Sequence, residues 1–212
     1  MRIRFGLGLS LMAGMCFACA ERALTPDLAA SLIADLDAFK RNAHFTMRTG
    51  VPFQSAFQCL SQSAVEGSPL NQFVVSRGWA RYETRQGILG FGKKESCPAL
   101  ALTPTGEAVS AKWTKGNGGP AGGTAWTIPI ARRELLGVPR LTAVGAESTQ
   151  VEFDWKWTPN EVGTALRESI PEAGSFFDQS RQGRASCLGS DGGWRCQLNM
   201  WTTAADAGEL PS

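Results

Sequence analysis

Four cysteines, Cys59, Cys97, Cys187 and Cys196, follow an N-terminal stretch that reads as an export signal. Together these features set the terms for any fold. Arg2 and Arg4 open the chain with positive charge, Phe5 to Ala20 is apolar apart from glycines, one serine and two cysteines, and the first acid is Glu21. A basic start, an apolar middle and small residues before the first acid make a secretory signal peptide. An even number of cysteines in an exported chain implies a disulfide framework, with three connectivities open to four residues. Cys187 and Cys196 flank Leu188 to Arg195, a turn-rich stretch that brings two strands side by side. Pairing them leaves Cys59 with Cys97. Loop-closure entropy gives about 2.6 kcal/mol for the short bridge and about 3.9 kcal/mol for the long one. A zinc site is disfavoured, because no C-x-x-C spacing occurs.

Two processing routes are open. Ala18, Cys19 and Ala20 fit the small-x-small rule, which releases a chain beginning at Glu21. The alternative resembles a bacterial lipoprotein signal, with Cys19 acylated as the first residue; Ala18 fits that pattern, while Cys16 and Phe17 depart from it. The expected location is the periplasm or the medium, or, on the second route, the periplasmic face of the outer membrane. No later stretch approaches the roughly 20 apolar residues of a spanning helix.

Lys and Arg number 21 and Asp and Glu 19, and setting Arg2 and Arg4 aside leaves a neutral balance. That balance gives no electrostatic footprint for a nucleic-acid backbone. A single histidine, His44, excludes any two-histidine metal site within one chain. No cofactor motif is present.

The chain divides into a signal at 1–20, a helix-rich part with a β-hairpin at 21–115, a glycine-rich loop at 116–123, an antiparallel β part at 124–204 carrying a helix over 159–169, and a tail at 205–212. Thr25, Pro26 and Asp27 open a helix, with Leu28, Leu32, Leu36 and Phe39 at helical spacing. Phe53, Phe57 and Leu60 repeat that spacing, although a strand is also open there. Ser68 and Pro69 start a further helix, which Gly78 is placed to end. In the second part Val151, Phe153, Trp155 and Trp157 alternate with Glu152, Asp154 and Lys156, the signature of a half-buried strand. Trp126, Ile128 and Ile130 mark another strand, and Leu141 to Val144 a short partner. Thr158, Pro159, Asn160 and Glu161 spell a capping box, and Trp194, Cys196, Leu198 and Met200 alternate on a closing hairpin. The expected class is therefore α+β: a helical half, then an antiparallel sheet half with one or two packed helices.

Residues 50 to 114 read helix, helix, glycine-tipped hairpin, and then Leu102, Thr103, Pro104, Thr105 and Gly106 leading into a helix. This order, with L-T-P-x-G after the hairpin, resembles the second half of a winged-helix domain. The resemblance implies that the helix over 69–77 would read DNA. That helix carries only Arg77, and Cys97 sits in the wing, so export and neutral charge set the DNA-binding implication aside.

Candidate chemistry is sparse. His44 has no nucleophile signature to serve. Ser190, between Gly189 and Asp191, is explained by the turn between the bridged cysteines. Gly90, Phe91, Gly92, Lys93 and Lys94 lack the spacing and context of a phosphate loop and read as a hairpin tip kept soluble by its lysines. Glu152 and Asp154 share the polar face of one strand about 7 Å apart, a separation an ordinary exposed face also gives. No catalytic, cofactor or metal residue is assigned. Trp201 falls on the face opposite Trp194 if its strand is regular, which makes it the candidate partner-binding residue. The expected function is an exported, non-enzymatic envelope module that binds a protein or stabilises an assembly. The alternatives are a periplasmic hydrolase without a readable motif and an immunity protein against a secreted toxin.

Overall fold

Thr25 caps the first helix as its spacing predicts: its hydroxyl accepts from the Leu28 amide at 3.2 Å, with Pro26 and Asp27 in the first turn of α1 (Pro26–Asp35). The computed structural model describes residues 23–55, 58–119, 122–199 and 203–210. The segment expected to be a signal, with Cys19, together with Phe57, Met200 and Trp201, lies outside the described residues. α1 stops at Leu36, whose extended ψ of 132° breaks the periodicity, and a separate turn, α2 (Asp37–Lys40), delivers Phe39 to the core. Ala29 and Ile33 are consequently the fully buried residues of α1, while Leu28, Leu32 and Leu36 flank them.

β1 (Ala43–Thr49) buries Ala43, Phe45 and Met47 on one side. β2 (Phe53–Ser55) and β3 (Gln58–Cys59) then form a small hairpin, so the helical spacing of Phe53, Phe57 and Leu60 misleads and the strand reading holds. Next come α3 (Gln62–Glu66), capped by Ser61, and α4 (Pro69–Ser76), after which Gly78 turns the chain at a φ of +69°. β4 (Ala80–Ile88) and β5 (Lys94–Leu102) pair residue for residue from Ala80 and Leu102 to Ile88 and Lys94. In α5 (Pro104–Ser110) the cap is Thr103, and Gly106 lies so close to the Trp79 carbonyl that a Cβ would sit 1.8 Å from its oxygen.

β6 (Thr114–Asn117) takes in part of the glycine-rich run and leads into β7 (Thr124–Gly145), a single strand of 22 residues where two short ones are expected. β8 (Ser148–Pro159) follows and uses up Thr158 and Pro159, so the next helix, α6 (Glu161–Ser169), is capped by Asn160, whose side-chain oxygen accepts from the Gly163 amide at 2.9 Å. The chain closes with α7 (Gly174–Asp178), β9 (Arg181–Ser190), β10 (Gly193–Leu198) and α8 (Ala204–Ala207).

The main sheet is antiparallel, in the order β1-β7-β8-β9-β10, with β6 beside the start of β7. This corrects the expected class of a helical half followed by a sheet half. Described residues are 47% strand and 32% helix, and a large curled antiparallel sheet spans most of the chain. The physical reason is β1: an early strand with little local support is completed by pairing Ala43–Thr49 with β7, far along the sequence. α1 packs against both β7 and β10, strands separated by β8 and β9, so the sheet curls around the helix. Val151, Phe153, Trp155 and Trp157 of β8 face inward as their alternation predicts. Each fully buried large side chain contributes about 1.5–3 kcal/mol.

β7 stays continuous by bulging. Ala131 pairs with Ala43, but the next pair is Pro129 with His44, which leaves Ile130 as an extra residue. The inward set accordingly switches from Ile128 and Ile130 to Ala131 and Arg133. A second irregularity absorbs Gly137, Val138 and Pro139 between the pairs Leu136–Asp154 and Arg140–Glu152. An edge-to-face series from Phe45 through Phe73, Trp79 and Trp113 to Trp126, with centroids 5.5–6.2 Å apart, joins this sheet to the α4–β4 layer.

Candidate functional site

The β4–β5 hairpin ends in Ile88-Leu89-Gly90-Phe91-Gly92-Lys93-Lys94. Its turn closes on itself: the Leu89 amide donates to the Lys93 carbonyl at 2.7 Å and the Gly92 amide to the Leu89 carbonyl at 3.1 Å. Closing it that tightly places Phe91 at φ 61° and ψ 22°, a left-handed conformation that costs a bulky residue about 1–3 kcal/mol. Leu89 is buried and anchors the turn, whereas Phe91 is 100% exposed and Ile88, directly opposite Lys94, is 68% exposed. Lys93 lies 3.9 Å from Glu95 in an exposed pair.

Beneath the tip sits a disulfide. Cys59 of β3 is bonded to Cys97 of β5, with Cα atoms 5.8 Å apart. Gly87 presses onto this bridge so closely that a Cβ would lie 2.6 Å from Cys97 Sγ and 3.3 Å from Cys59 Sγ. The bridge thus ties the hairpin to β3 at Cys97, three residues short of the Ile88–Lys94 pair. Cys187 and Cys196 are also bonded, at directly opposed positions of β9 and β10 with Cα atoms 4.0 Å apart. Both expected pairs are present, the second slightly closer than the usual 4.4–6.8 Å range. Two disulfides are compatible with an extracellular or periplasmic protein. Among the described residues no helix is long and apolar enough to cross a membrane.

A second cluster is buried and cationic. Arg133 and Arg181 face inward at 7% and 8% exposure, opposite Trp157 and Trp155 respectively. The Arg133 guanidinium lies 4.3 Å from the Trp157 ring centre and 5.1 Å from that of Trp155, and Arg181 lies 5.6 Å from Trp155 and 5.3 Å from Phe176. Arg133 Nη1 donates to the carbonyls of Ala38, Phe39 and Arg41, and its Nη2 to that of Asp206. Arg181 donates to the carbonyls of Phe176 and Gln179, and its Nε lies 3.2 Å from the Asp206 carboxylate. Burial, then the charge of Arg41, lowers the Arg133 pKa to about 10, still well above neutrality; burial also lowers that of Arg181, against the opposing pull of Asp206. These donors are committed to main chain and to Asp206. The cluster is a staple that joins α2, the sheet and α8.

The remaining candidates are placed as follows. His44 lies in β1; its amide donates to the Gly208 carbonyl at 2.7 Å and its carbonyl accepts from the Leu210 amide. Ser190 donates to the Gly193 carbonyl within the β9–β10 turn. Glu152 and Asp154 are taken up by arginines on the outer face: Arg140 lies 3.8 Å from each, and Arg184 lies 3.1 Å from Glu152. Among the described residues no group of three His, Cys, Asp or Glu side chains is arranged to hold a metal ion. A shallow cleft of about 340 Å³ lies beside the staple, walled by Phe39 and Leu135 and rimmed by Lys40 and Arg132, and Lys40 is paired with Asp35 at 3.0 Å.

Sequence reasoning found the hairpin tip but not its exposed aromatic. The signal was there: an aromatic between two glycines stands at the end of a turn, beyond the paired strands. The staple left no such trace, because its members are distant in sequence. No family model matches the chain, and neither a curated protein nor a solved structure is similar to it.

Proposed function

We propose that the chain is an exported envelope module that acts by binding, through the apex of the β4–β5 hairpin, and not by chemistry on a substrate. The observation that carries this reading is Phe91, fully exposed and held in a left-handed conformation at the end of a disulfide-braced hairpin. An exposed aromatic at the end of a braced hairpin is placed where a partner can reach it. Aromatic anchors dominate recognition surfaces, and the acids read as candidate catalysts are held by arginines.

The test is photo-crosslinking in living cells, with a photoreactive phenylalanine analogue at position 91 and, as a control, at Arg195 on the exposed side of β10. Adducts at 91 and none at 195 support the reading. Equal yields at the two positions reject it.

A further inference from the structure

We propose that the cleft beside β7, where β1 ends, is a binding site for a small organic acid: a carboxylate carried on a short apolar body. It is separate from the hairpin apex and does not depend on it.

The cleft exists because the sheet changes width there. β1 pairs with β7 only as far as Ala43 and Ala131, whereas β7 runs on beside β8 to Gly145. Upstream of Ala43 the chain turns away into α2, and the space it leaves, about 340 Å³, lies against the stretch of β7 just beyond Ala131. That volume is at the small end of ligand sites.

The main chain of β7 faces into this space. The Asn160 amide donates to the Ile130 carbonyl, and β7 keeps one register with β8 from Ala131 to Leu136. Peptide groups of even-numbered residues in this stretch therefore point toward β8, and those of odd number point the other way. On that other side Ala131 meets β1, while Leu135 lies past the end of β1 and lines the cleft. A strand edge of this kind offers its N–H to an acceptor, and a carboxylate oxygen makes the stronger, charge-assisted bond.

The side chains add positive charge. Lys40 and Arg132 stand on the rim and Arg133 on the inner side. Among the described residues Arg132 is paired with no carboxylate, and Glu134, the nearest acid along the strand, is held by the Thr158 hydroxyl. Lys40 is paired with Asp35, but the two side chains are 56% and 74% exposed, and such a pair gives way at little cost. One carboxylate, that of Asp206, serves both Arg133 and Arg181, so these two keep a net positive charge next to the cleft. Phe39 and Leu135 supply an apolar wall. An anion without an apolar body gains nothing from that wall, and a neutral molecule gains nothing from the cations.

The test titrates the nitrogen-15-labelled chain with benzoate, and with two controls: benzamide, which lacks the charge, and inorganic phosphate, which lacks the apolar body. The expected result is saturable benzoate binding with a Kd of about 1 mM, about tenfold tighter than either control, weakened by salt, with the Leu135 amide among the resonances that shift. Arg132→Gln should weaken benzoate about five- to tenfold and leave benzamide unchanged. Arg195→Gln removes a cation outside the cleft and should change neither. The amide spectra report whether each variant is folded, and the wild-type series decides the matter even where one is not. The proposal is overturned by no saturable benzoate binding below about 20 mM, by equal binding of benzoate and either control, or by a folded Arg132→Gln that binds benzoate as wild type does.

Discussion

The carboxylate of Asp206, on the last described helix, lies 3.2 Å from Arg181 Nε on β9, and the two side chains are only 18% and 7% exposed. The Asp206 carbonyl also accepts from Arg133. One residue thus holds both inward arginines, and through them the end of the chain is fastened over Trp155 and Trp157.

Removing it leaves a buried cation without its counter-charge. Asp206→Ala is expected to destabilise the fold by about 3–5 kcal/mol in urea unfolding. Asp178→Ala, which breaks the exposed pair with Arg167, is expected to cost under about 1 kcal/mol. Equal costs would show that the Asp206 pair is a surface interaction.

Arg133→Met keeps much of the volume but leaves main-chain carbonyls of α2 and α8 without their donor, at an expected cost of about 2–4 kcal/mol. Arg133→Lys should recover only part of this, since one ammonium cannot reach three carbonyls and Asp206 together. Burial lowers the folded pKa to about 10, below the ordinary guanidinium value, so above that pH the unfolded chain holds a proton the folded chain has lost. This linkage favours the fold as pH rises above about 10 and is lost as pH falls through 10. The group therefore contributes no pH dependence between pH 5 and 8, and thermal melts of wild type and Arg133→Met should differ by a constant amount across that range.

Phe91→Gly is expected to leave stability unchanged or to raise it by about 1 kcal/mol, through relief of the left-handed φ. Gly106→Ala is the opposite case, because its new methyl would meet the Trp79 carbonyl. It should cost at least about 2 kcal/mol. Urea midpoints at constant slope separate the two.

Replacing Cys59 and Cys97 together by alanine should cost about 3–4 kcal/mol, more than the same change at Cys187 and Cys196, since the bridges span 38 and 9 residues. Equilibrium unfolding of the two double variants under identical conditions gives the ranking directly.

What the sequence made legible was local or strictly periodic. Thr25 names its helix because a hydroxyl three residues from an amide is a local event, and Trp155 and Trp157 announce a buried face by plain alternation. Cys187 and Cys196 find each other across a turn. β7 was not legible as one strand, since Pro129, Gly137 and Pro139 are ordinary breakers and only bulges carry the ladder past them. Leu28, Leu32 and Leu36 suggested a longer helix than forms, because tertiary packing of Phe39 is better served by a break at Leu36. Arg133, Arg181 and Asp206 come from three distant stretches, and nothing in their spacing foretells that they meet. Phe91 was visible as a turn residue, but its exposure depends on a register set by Ile88 and Lys94.

His44 gives its amide to Gly208 and its carbonyl to Leu210 on one edge of β1, while β7 occupies the other edge. In the order of synthesis, β1 emerges early and both of its neighbours emerge late. Until residues 208–210 arrive, the outer edge of β1 at His44 is bare, an edge that other chains can pair with. The contact of His44 with Gly208 and Leu210 therefore forms only after residues 203–210 have been made, and closing that end of β1 is a late event in the order of synthesis.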